Sequence, residues 1–381
     1  MTPLILLFGI AFVVSVDIRI LTPVLPSISS SLSATPGVVG LAMTSYSLAY
    51  GTGQLFYGPL SDRMGRIAVV RVAGLGFSLC TVLSALTMTT WQFVAARFVA
   101  GAFAGAVIPL ALVYIGDTVE YDRRQDVLGQ FFAVTSAAFA FSASIGGTVA
   151  HFVSWRVMLV GYALVALLPV GLMWRIDAGE PTGTAEAPAA PVHFSDFLRS
   201  GRAQAVYLAV FLEGFFVWGS ATYLAAFGTH RHDLGQLSVG LLIALFGAGT
   251  ITSGLCMARV RHWLSENTLA VSGGALMSAA FALLIPPWSW LALPACTFLL
   301  GIGYTALHTT LQLRGTEISS AARGKAFSLF AFSLFAGNAA GTAAFGRLVD
   351  AGRYEMAFAI SAAGLVAVGL GTALAGRSPK R

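Results

Sequence analysis

Apolar residues in this chain fall into long, unbroken runs separated by short polar stretches. A closed barrel would alternate apolar and polar positions, and these runs do not. A helix crossing the hydrocarbon core of a bilayer needs about 20 consecutive apolar residues. Scanning at that length predicts six helices at Leu4–Leu25, Val38–Tyr57, Ile67–Met88, Trp91–Tyr114, Val127–Ala150 and Val157–Trp174. Six more follow at Ala205–Phe227, Val239–Ala258, Leu269–Ile285, Trp290–Leu311, Ala326–Val349 and Met356–Ala375. The first run is too long for a signal-peptide core and has no small-residue cleavage site after it, so it counts as a helix. The one long polar stretch runs from Arg175 to Arg202 and is rich in Pro, Gly, Ala and Thr, the composition of a flexible linker. The expected organisation is therefore a six-helix bundle over residues 1–174, a linker over 175–204 and a second bundle over 205–381.

Composition agrees with the pattern. The chain is 57% hydrophobic and only 10% charged, against about a quarter charged in soluble domains. So few charges cannot coat a water-facing surface, and the outer surface must face lipid. The 42 glycines suit closely packed transmembrane helices. Cys80, Cys256 and Cys296 lie far apart inside apolar runs and read as small packing residues, without disulfide or metal spacing. The net charge of +6 is a topology signal and not a nucleic-acid footprint. With the N-terminus in the cytoplasm, the inner side receives sixteen basic residues, among them Arg63, Arg66, Arg71, Arg123, Arg124, Arg175, Arg259, Arg261, Arg314 and Lys325. The outer side receives Arg156, Arg231, Arg347 and Arg353. That asymmetry is the positive-inside rule, and it puts both termini in the cytoplasm of a multi-pass cell-membrane protein.

The two halves look related. The fifth run reads GQFFAVTSAAFAFSASIGGTVAHFVSW from Gly129, and the eleventh reads GKAFSLFAFSLFAGNAAGTAAFGRLVD from Gly324. Both pass through aromatic and small residues to a Gly-Thr near the outer end, where a six-helix repeat requires the match.

The sharpest local motif is GPLSDRMGR, Gly58 to Arg66, between the second and third runs. Gly65 permits a tight turn there. Asp62 is an acid at the inner surface, suited to pair with arginines or to cap a helix N-terminus. The segment resembles the signature loop of the major facilitator superfamily, with Gly58, Leu60, Asp62, Arg63, Gly65 and Arg66 matching. TPVLPSI, from Thr22, resembles the first-helix motif of that family's twelve-span drug:proton antiporter branch, and RFVAGAFAGA, from Arg97, is similar to its fourth-helix pattern. The resemblance implies an all-α membrane protein of twelve transmembrane helices in two six-helix pseudo-repeat bundles. It further implies alternating access, with Gly58, Asp62, Arg63, Gly65, Arg66 and Asp117 as a gate that holds the outward-facing state. Glu317 is the plausible repeat partner of Asp117. One departure stands out: the branch carries a Gly-Pro before a Gly-Gly in the fifth helix, whereas Ser142-Ala143 precedes Gly146-Gly147 here. The missing Gly-Pro weakens the expected bend and the antiport assignment.

Ionisable residues inside a membrane are costly and mark function by default. Asp17 lies about 20 Å up the first helix and Arg97 about 9 Å down the fourth from the opposite face. In a core about 30 Å thick these depths coincide, so the two can pair. Asp17 is the expected proton-carrying group, with Arg97 as its partner and Glu213, on the seventh helix, as the second candidate. Arg19 is two residues from Asp17, points to the other side of the helix, and is placed either snorkelling outward or in the substrate cavity. The cavity is also expected to be lined by Phe215, Phe216, Trp218, Tyr223 and His308, although a lone histidine at the place of His308 is more often a packing residue. There is no GxxxxGK[ST] phosphate loop, HExxH or nucleophile elbow, so the expected protein is not an enzyme and needs no cofactor or metal. The expected function is proton-coupled efflux of small amphipathic compounds by a monomer, with a facilitator or uptake carrier for a small organic or lipid-like solute as the alternative.

The charge sorting yields a test of topology. Single cysteines placed at Arg63, at Arg261 and at Glu186 of the linker should stay unlabelled by an impermeant maleimide in intact cells. Strong labelling at Glu186 would rule out the twelve-span map.

Overall fold

The structure, a computed structural model, describes residues 3–176, 197, 199–260, 262–286, 290–319 and 323–375. The centre of the linker, with Glu186, lies outside the described residues, as do Arg261, Arg377, Lys380 and Arg381. Twelve helical spans are present among the described residues, and every predicted run has its helix. In the first half they are Pro3–Ile20, Pro36–Met64, Arg66–Leu86, Thr90–Thr118, Tyr121–Phe152 and Trp155–Trp174. In the second half they are Gly201–His232, Gln236–Val260, Glu266–Ala282, Ala292–Thr316, Arg323–Asp350 and Tyr354–Ala375. Among the described residues nine helices are long and apolar enough by themselves to cross a membrane. The second, ninth and tenth complete the two bundles of six.

Local sequence explains where helices start. Thr35, Thr89, Ser154, Ser200 and Ser265 each cap a helix, their side-chain oxygens accepting the N–H three residues on. Thr89 and Gln92 form a reciprocal capping box. Pro36 takes the first helical position, where its missing N–H costs nothing. The signature segment is not a loop: the second helix runs on to Met64, and Gly65 alone, at φ 87°, joins it to Arg66 at the start of the third. Only glycine adopts that backbone without strain.

Three spans are interrupted. The first helix ends at Ile20, turns, and resumes as Leu25–Ser31. The fourth is divided at Gly105–Ala106. The seventh opens into a π-helical turn over Gly214–Trp218 and is broken again before Leu224. The fifth, in contrast, is continuous from Tyr121 to Phe152, in keeping with the absence of Gly-Pro.

The halves meet through the second helix against the eleventh and the fifth against the eighth. Their contacts lie toward the face opposite the described chain ends, here the far face. A β-carbon on Gly37 would lie 2.3 Å from the Gly346 carbonyl oxygen, and one on Gly240 would lie 2.9 Å from the Gly147 Cα. Neutral hydrogen bonds join the seam, with Asn338 Nδ2 donating to Ser47 Oγ at 2.9 Å and Ser27 Oγ donating to Gln236 Oε1 at 3.2 Å. Asp350 Oδ1 accepts the Gly37 N–H at 2.7 Å. On the face that carries the described chain ends, the same four helices hold Gly58, Gly129, Gly254 and Gly324, and a β-carbon on any of these would meet nothing within 4 Å. The bundles are thus closed together at the far face and parted at the terminus face. Around the outside, Leu79, Leu83, Leu164, Leu168, Leu255 and Leu370 are exposed, as a lipid-facing belt requires.

The glycine seam generates a test. Gly240→Val forces a side chain into the backbone of the fifth helix, a clash that costs about 1–3 kcal/mol. It should widen the far-face distance between spin labels on the fifth and eighth helices. An unchanged distance distribution would show that the seam is not the closing contact.

Candidate functional site

Two acid–base pairs are buried inside the helical bundles. The first joins the first helix to the fourth. Arg97 Nη2 donates to Asp17 Oδ2 at 2.6 Å and Nη1 donates to Oδ1 at 3.3 Å. Side-chain exposure is 2% for Arg97 and 0% for Asp17. The depths read from the sequence therefore meet. The guanidinium also lies 4.3 Å from the Tyr46 ring centroid, a cation–π contact strengthened by the lack of competing water. Ser142, the residue in place of the expected Gly-Pro, is buried and donates to the Val16 carbonyl at 2.6 Å. It ties the fifth helix to the backbone one residue before Asp17.

The second pair joins the seventh helix to the tenth. His308 Nδ1 lies 2.8 Å from Glu213 Oε2, with side-chain exposures of 18% and 0%. Glu213 Oε1 is buried with no hydrogen-bond partner among the described residues. Sequence reasoning singled out both residues but did not join them. The two pairs occupy equivalent places in the repeat: acid on the first helix of each half, base on the fourth.

The π-turn begins directly after Glu213. At about 100° per residue, positions five apart on an α-helix point about 140° apart. Bonding from i to i+5 winds the chain more slowly and brings them much nearer to one face. Trp218 thereby joins the face of Glu213, where its ring packs edge-on against Tyr304 at 5.0 Å and Phe246 at 5.1 Å. Tyr304 in turn stacks on His308 at 4.8 Å with ring planes 13° apart. The Arg19 guanidinium crosses from the first half and sits 3.5 Å from the Trp218 ring centroid. Arg19 does not snorkel outward, because the Trp218 face offers it a buried partner between the halves.

Three residues expected in the cavity are elsewhere. Tyr223 is fully buried at the far face, where its hydroxyl donates to the Thr342 carbonyl at 2.8 Å and packs against Gly40. Phe215 packs on Phe345 of the eleventh helix at 5.3 Å, and Phe216 packs on Gly364 of the twelfth. The altered register of the π-turn takes Phe215 and Phe216 into helix–helix seams and leaves Trp218 facing the centre.

The centre itself is tight. One space of about 40 Å³ is lined by Arg19, Thr22, Ala143, Trp218 and Phe246, and another of about 20 Å³ by Asp17, Tyr46, Arg97 and Asn338. Each has room for very few waters. A wider opening of about 550 Å³ lies toward the terminus face, lined by Phe132 of the first half and by Met257, Leu269, Thr309 and Phe327 of the second.

At the terminus face, Arg66 bonds to Asp62 and to Ser61, the latter at 2.7 Å, and its Nε reaches Asp117 Oδ2 at 3.3 Å. This cluster braces the ends of the second, third and fourth helices within the first half. It is made while the terminus face is parted, so it does not depend on the halves meeting there. Arg63 stands apart from it and lines a lateral groove with Phe56 and Phe98. Gly58 has open space around it. In the second half Arg202 pairs with Glu317 at 3.2 Å on the surface, echoing the contact of Asp117 with the cluster.

Comparison with known proteins agrees with the architecture. The family model described as Major Facilitator Superfamily matches residues 7–321. An uncharacterised MFS-type transporter of Bacillus subtilis, YceJ, is 25% identical over 349 residues, covering 90% of this chain and 88% of that protein. A chloramphenicol resistance protein of Streptomyces lividans is 28% identical over 328 residues, covering 84% and 82%. Among solved structures, the nucleoside transporter NupG superposes with a TM-score of 0.78 at 12% identity, covering 100% of this chain and 100% of that one.

The Asp17–Arg97 pair makes a stability prediction. Asp17→Asn strands a buried guanidinium, which costs about 3–5 kcal/mol. Its thermal unfolding midpoint in detergent should fall clearly, and the double replacement Asp17→Leu with Arg97→Met should recover much of the loss. A neutral single variant would mean that the pair is not holding the helices.

Proposed function

The chain belongs to the major facilitator superfamily, and from that premise we propose that it is a secondary active transporter that exports small amphipathic, drug-like compounds in exchange for protons. The observation that carries this reading is the pair of buried acid–base contacts, Asp17–Arg97 and Glu213–His308, one in each half of the bundle. An ionisable pair in a membrane interior is costly to keep unless its charge is used. A change in water access and partner distance shifts the proton affinity of a carboxylate or imidazole. Rocking of the halves changes both, which is what coupling to a proton gradient requires.

The positive-inside asymmetry supports placing the terminus face in the cytoplasm. On that placement the arrangement described here is open inward and closed outward. Transport then requires the far-face seam to part as the terminus face closes, with a single chain supplying both halves of the path. The brace around Arg66 keeps three helix ends moving as one lever, and Arg66→Ala should slow exchange with and without a proton gradient. Aromatic walls such as Trp218, Tyr304 and Phe246 favour flat apolar compounds, in keeping with the resistance activity named for the Streptomyces relative. The continuous fifth helix favours a second reading, a facilitator that uses no gradient.

Flux separates the two. In proteoliposomes with chloramphenicol as the probe, a one-unit pH gradient supplies about 1.4 kcal/mol per proton and sustains about a tenfold solute gradient at one-to-one exchange. Accumulation should follow the imposed gradient and collapse with a protonophore. Downhill flux indifferent to pH would make the protein a facilitator.

A further inference from the structure

The two acid–base pairs are chemically unequal. Arg97 carries a permanent charge and grips Asp17 through two hydrogen bonds in a site with room for very few waters. Protonating Asp17 would strand that charge, so the pair has no inexpensive second state. Glu213 is held instead by an imidazole, the side chain whose charge ordinarily changes between pH 5 and 8. Here the pair is neutral when it holds the exchangeable proton, and release leaves a single negative charge on Glu213 that opening of the cavity to water can solvate.

Geometry adds to the contrast. His308 turns Nδ1 to Glu213 at 2.8 Å, which leaves Nε2 outside that bond, and its side chain keeps 18% exposure while Glu213 has none. Glu213 Oε1 is buried without a hydrogen-bond partner among the described residues. A buried carboxylate oxygen left in that condition is costly and wants a proton or a donor. The other groups facing the pair are few. From the tenth helix Tyr304 stacks on the imidazole. From the first helix Arg19 reaches the same aromatic group through Trp218. Tyr207, earlier on the seventh helix, has its hydroxyl directed to the Ala326 carbonyl at 3.3 Å. The eleventh helix presents Phe330 to the imidazole at 5.9 Å, and the eighth presents Phe246 to Tyr304 at 5.8 Å.

We propose that Glu213 and His308 together are the proton-exchanging site, taking up and releasing one proton per cycle, while Asp17–Arg97 stays ionised and serves as a positioning pair. The proposal rests on the proton-coupled reading above and moves the coupling group from the first helix to the seventh and tenth. In uptake, the Nε2 lone pair takes a proton from water, and the Nδ1–H stays bonded to the carboxylate. In release, the Nε2–H bond breaks, its electron pair returns to the ring and the proton leaves to water on the other side. The π-turn contributes by setting Glu213 and Trp218 on one face, so that a flat solute stacked on Trp218 or Tyr304 sits against the titrating pair.

The decisive measurement needs no substrate. Infrared difference spectra of the purified protein in lipid, taken between pH 8 and pH 5, should contain an imidazole-protonation signal that His308→Gln removes and Glu213→Gln shifts by about one pH unit or more. Asp17→Asn, shown to be folded in lipid by its size-exclusion profile, should leave that signal in place. An imidazole signal unchanged by both His308→Gln and Glu213→Gln, or a protonation change lost only in Asp17→Asn, overturns the assignment. Flux with chloramphenicol then tests the role. His308→Gln, shown to be folded by its size-exclusion profile, should exchange the probe downhill and lose the tenfold gradient-driven accumulation. Full accumulation in that variant overturns the proposal. A wild-type protein that ignores the gradient while His308 still titrates overturns the proton-coupled reading, and with it the pair's role in coupling, but not the titration itself.

Discussion

A charge has almost no tolerable place in a membrane interior, and that constraint organises this protein. Asp17 and Glu213 lie at full burial, where a lone carboxylate would be driven to neutrality. Each is held by a base on the fourth helix of its own half. Those two contacts fix the rotation and depth of the helices that bear them. The aromatic stack between Trp218 and His308, and the position of Arg19 across the midline, follow from that rotation.

The ion pairs also divide the labour between bundle and interface. Each pair described above lies within one half. The halves themselves meet through glycines, neutral side chains, one carboxylate that accepts a backbone N–H, and the Arg19 guanidinium lying on the Trp218 ring, with none of the ion pairs above crossing between them. Each half is thus stiffened by electrostatics, and the surface between them relies on close packing. That partition suits the proposed rocking, in which each half keeps its shape while the contact between them changes.

Much of this was legible in the chain before any coordinates. Run length and the sorting of arginines gave twelve helices because the bilayer imposes a length and a charge rule with few exceptions. Equal depth brought Asp17 to Arg97 because both sit on regular helix, where rise per residue is constant. The same arithmetic missed Glu213–His308. Both residues sit on regular helix, but depth alone does not say which side chains turn toward each other, and His308 reads from sequence as a packing residue; the seventh helix then widens into a π-turn immediately after Glu213, and no composition rule announces a π-turn in GFFVW. That extra residue per turn also explains why Phe215 and Tyr223 leave the cavity wall while Trp218 enters it. The signature segment was recognised by its residues, yet its conformation was not: the second helix continues through Asp62 and Arg63, and Gly65 alone makes the turn. Ser142 was noticed as a departure from a pattern, and its bond to the Val16 carbonyl belongs to a neighbouring helix that local sequence does not reveal.

The far-face seam bears on speed. In the proposed rocking cycle the seam parts once per turnover, and its strength then contributes directly to the height of the opening barrier. A buried ion pair across it, costing about 3–5 kcal/mol to break, would slow opening by about two to four powers of ten. Contacts such as Gly240 on Gly147 consist of many dispersion terms of about 0.1–0.2 kcal/mol each. They can be lost a few at a time along the helix, so the barrier rises gradually and never in one step. A seam that relies mainly on glycine backbones and neutral contacts would therefore combine a tight seal with a low opening barrier, which a buried ion pair at the same place would raise.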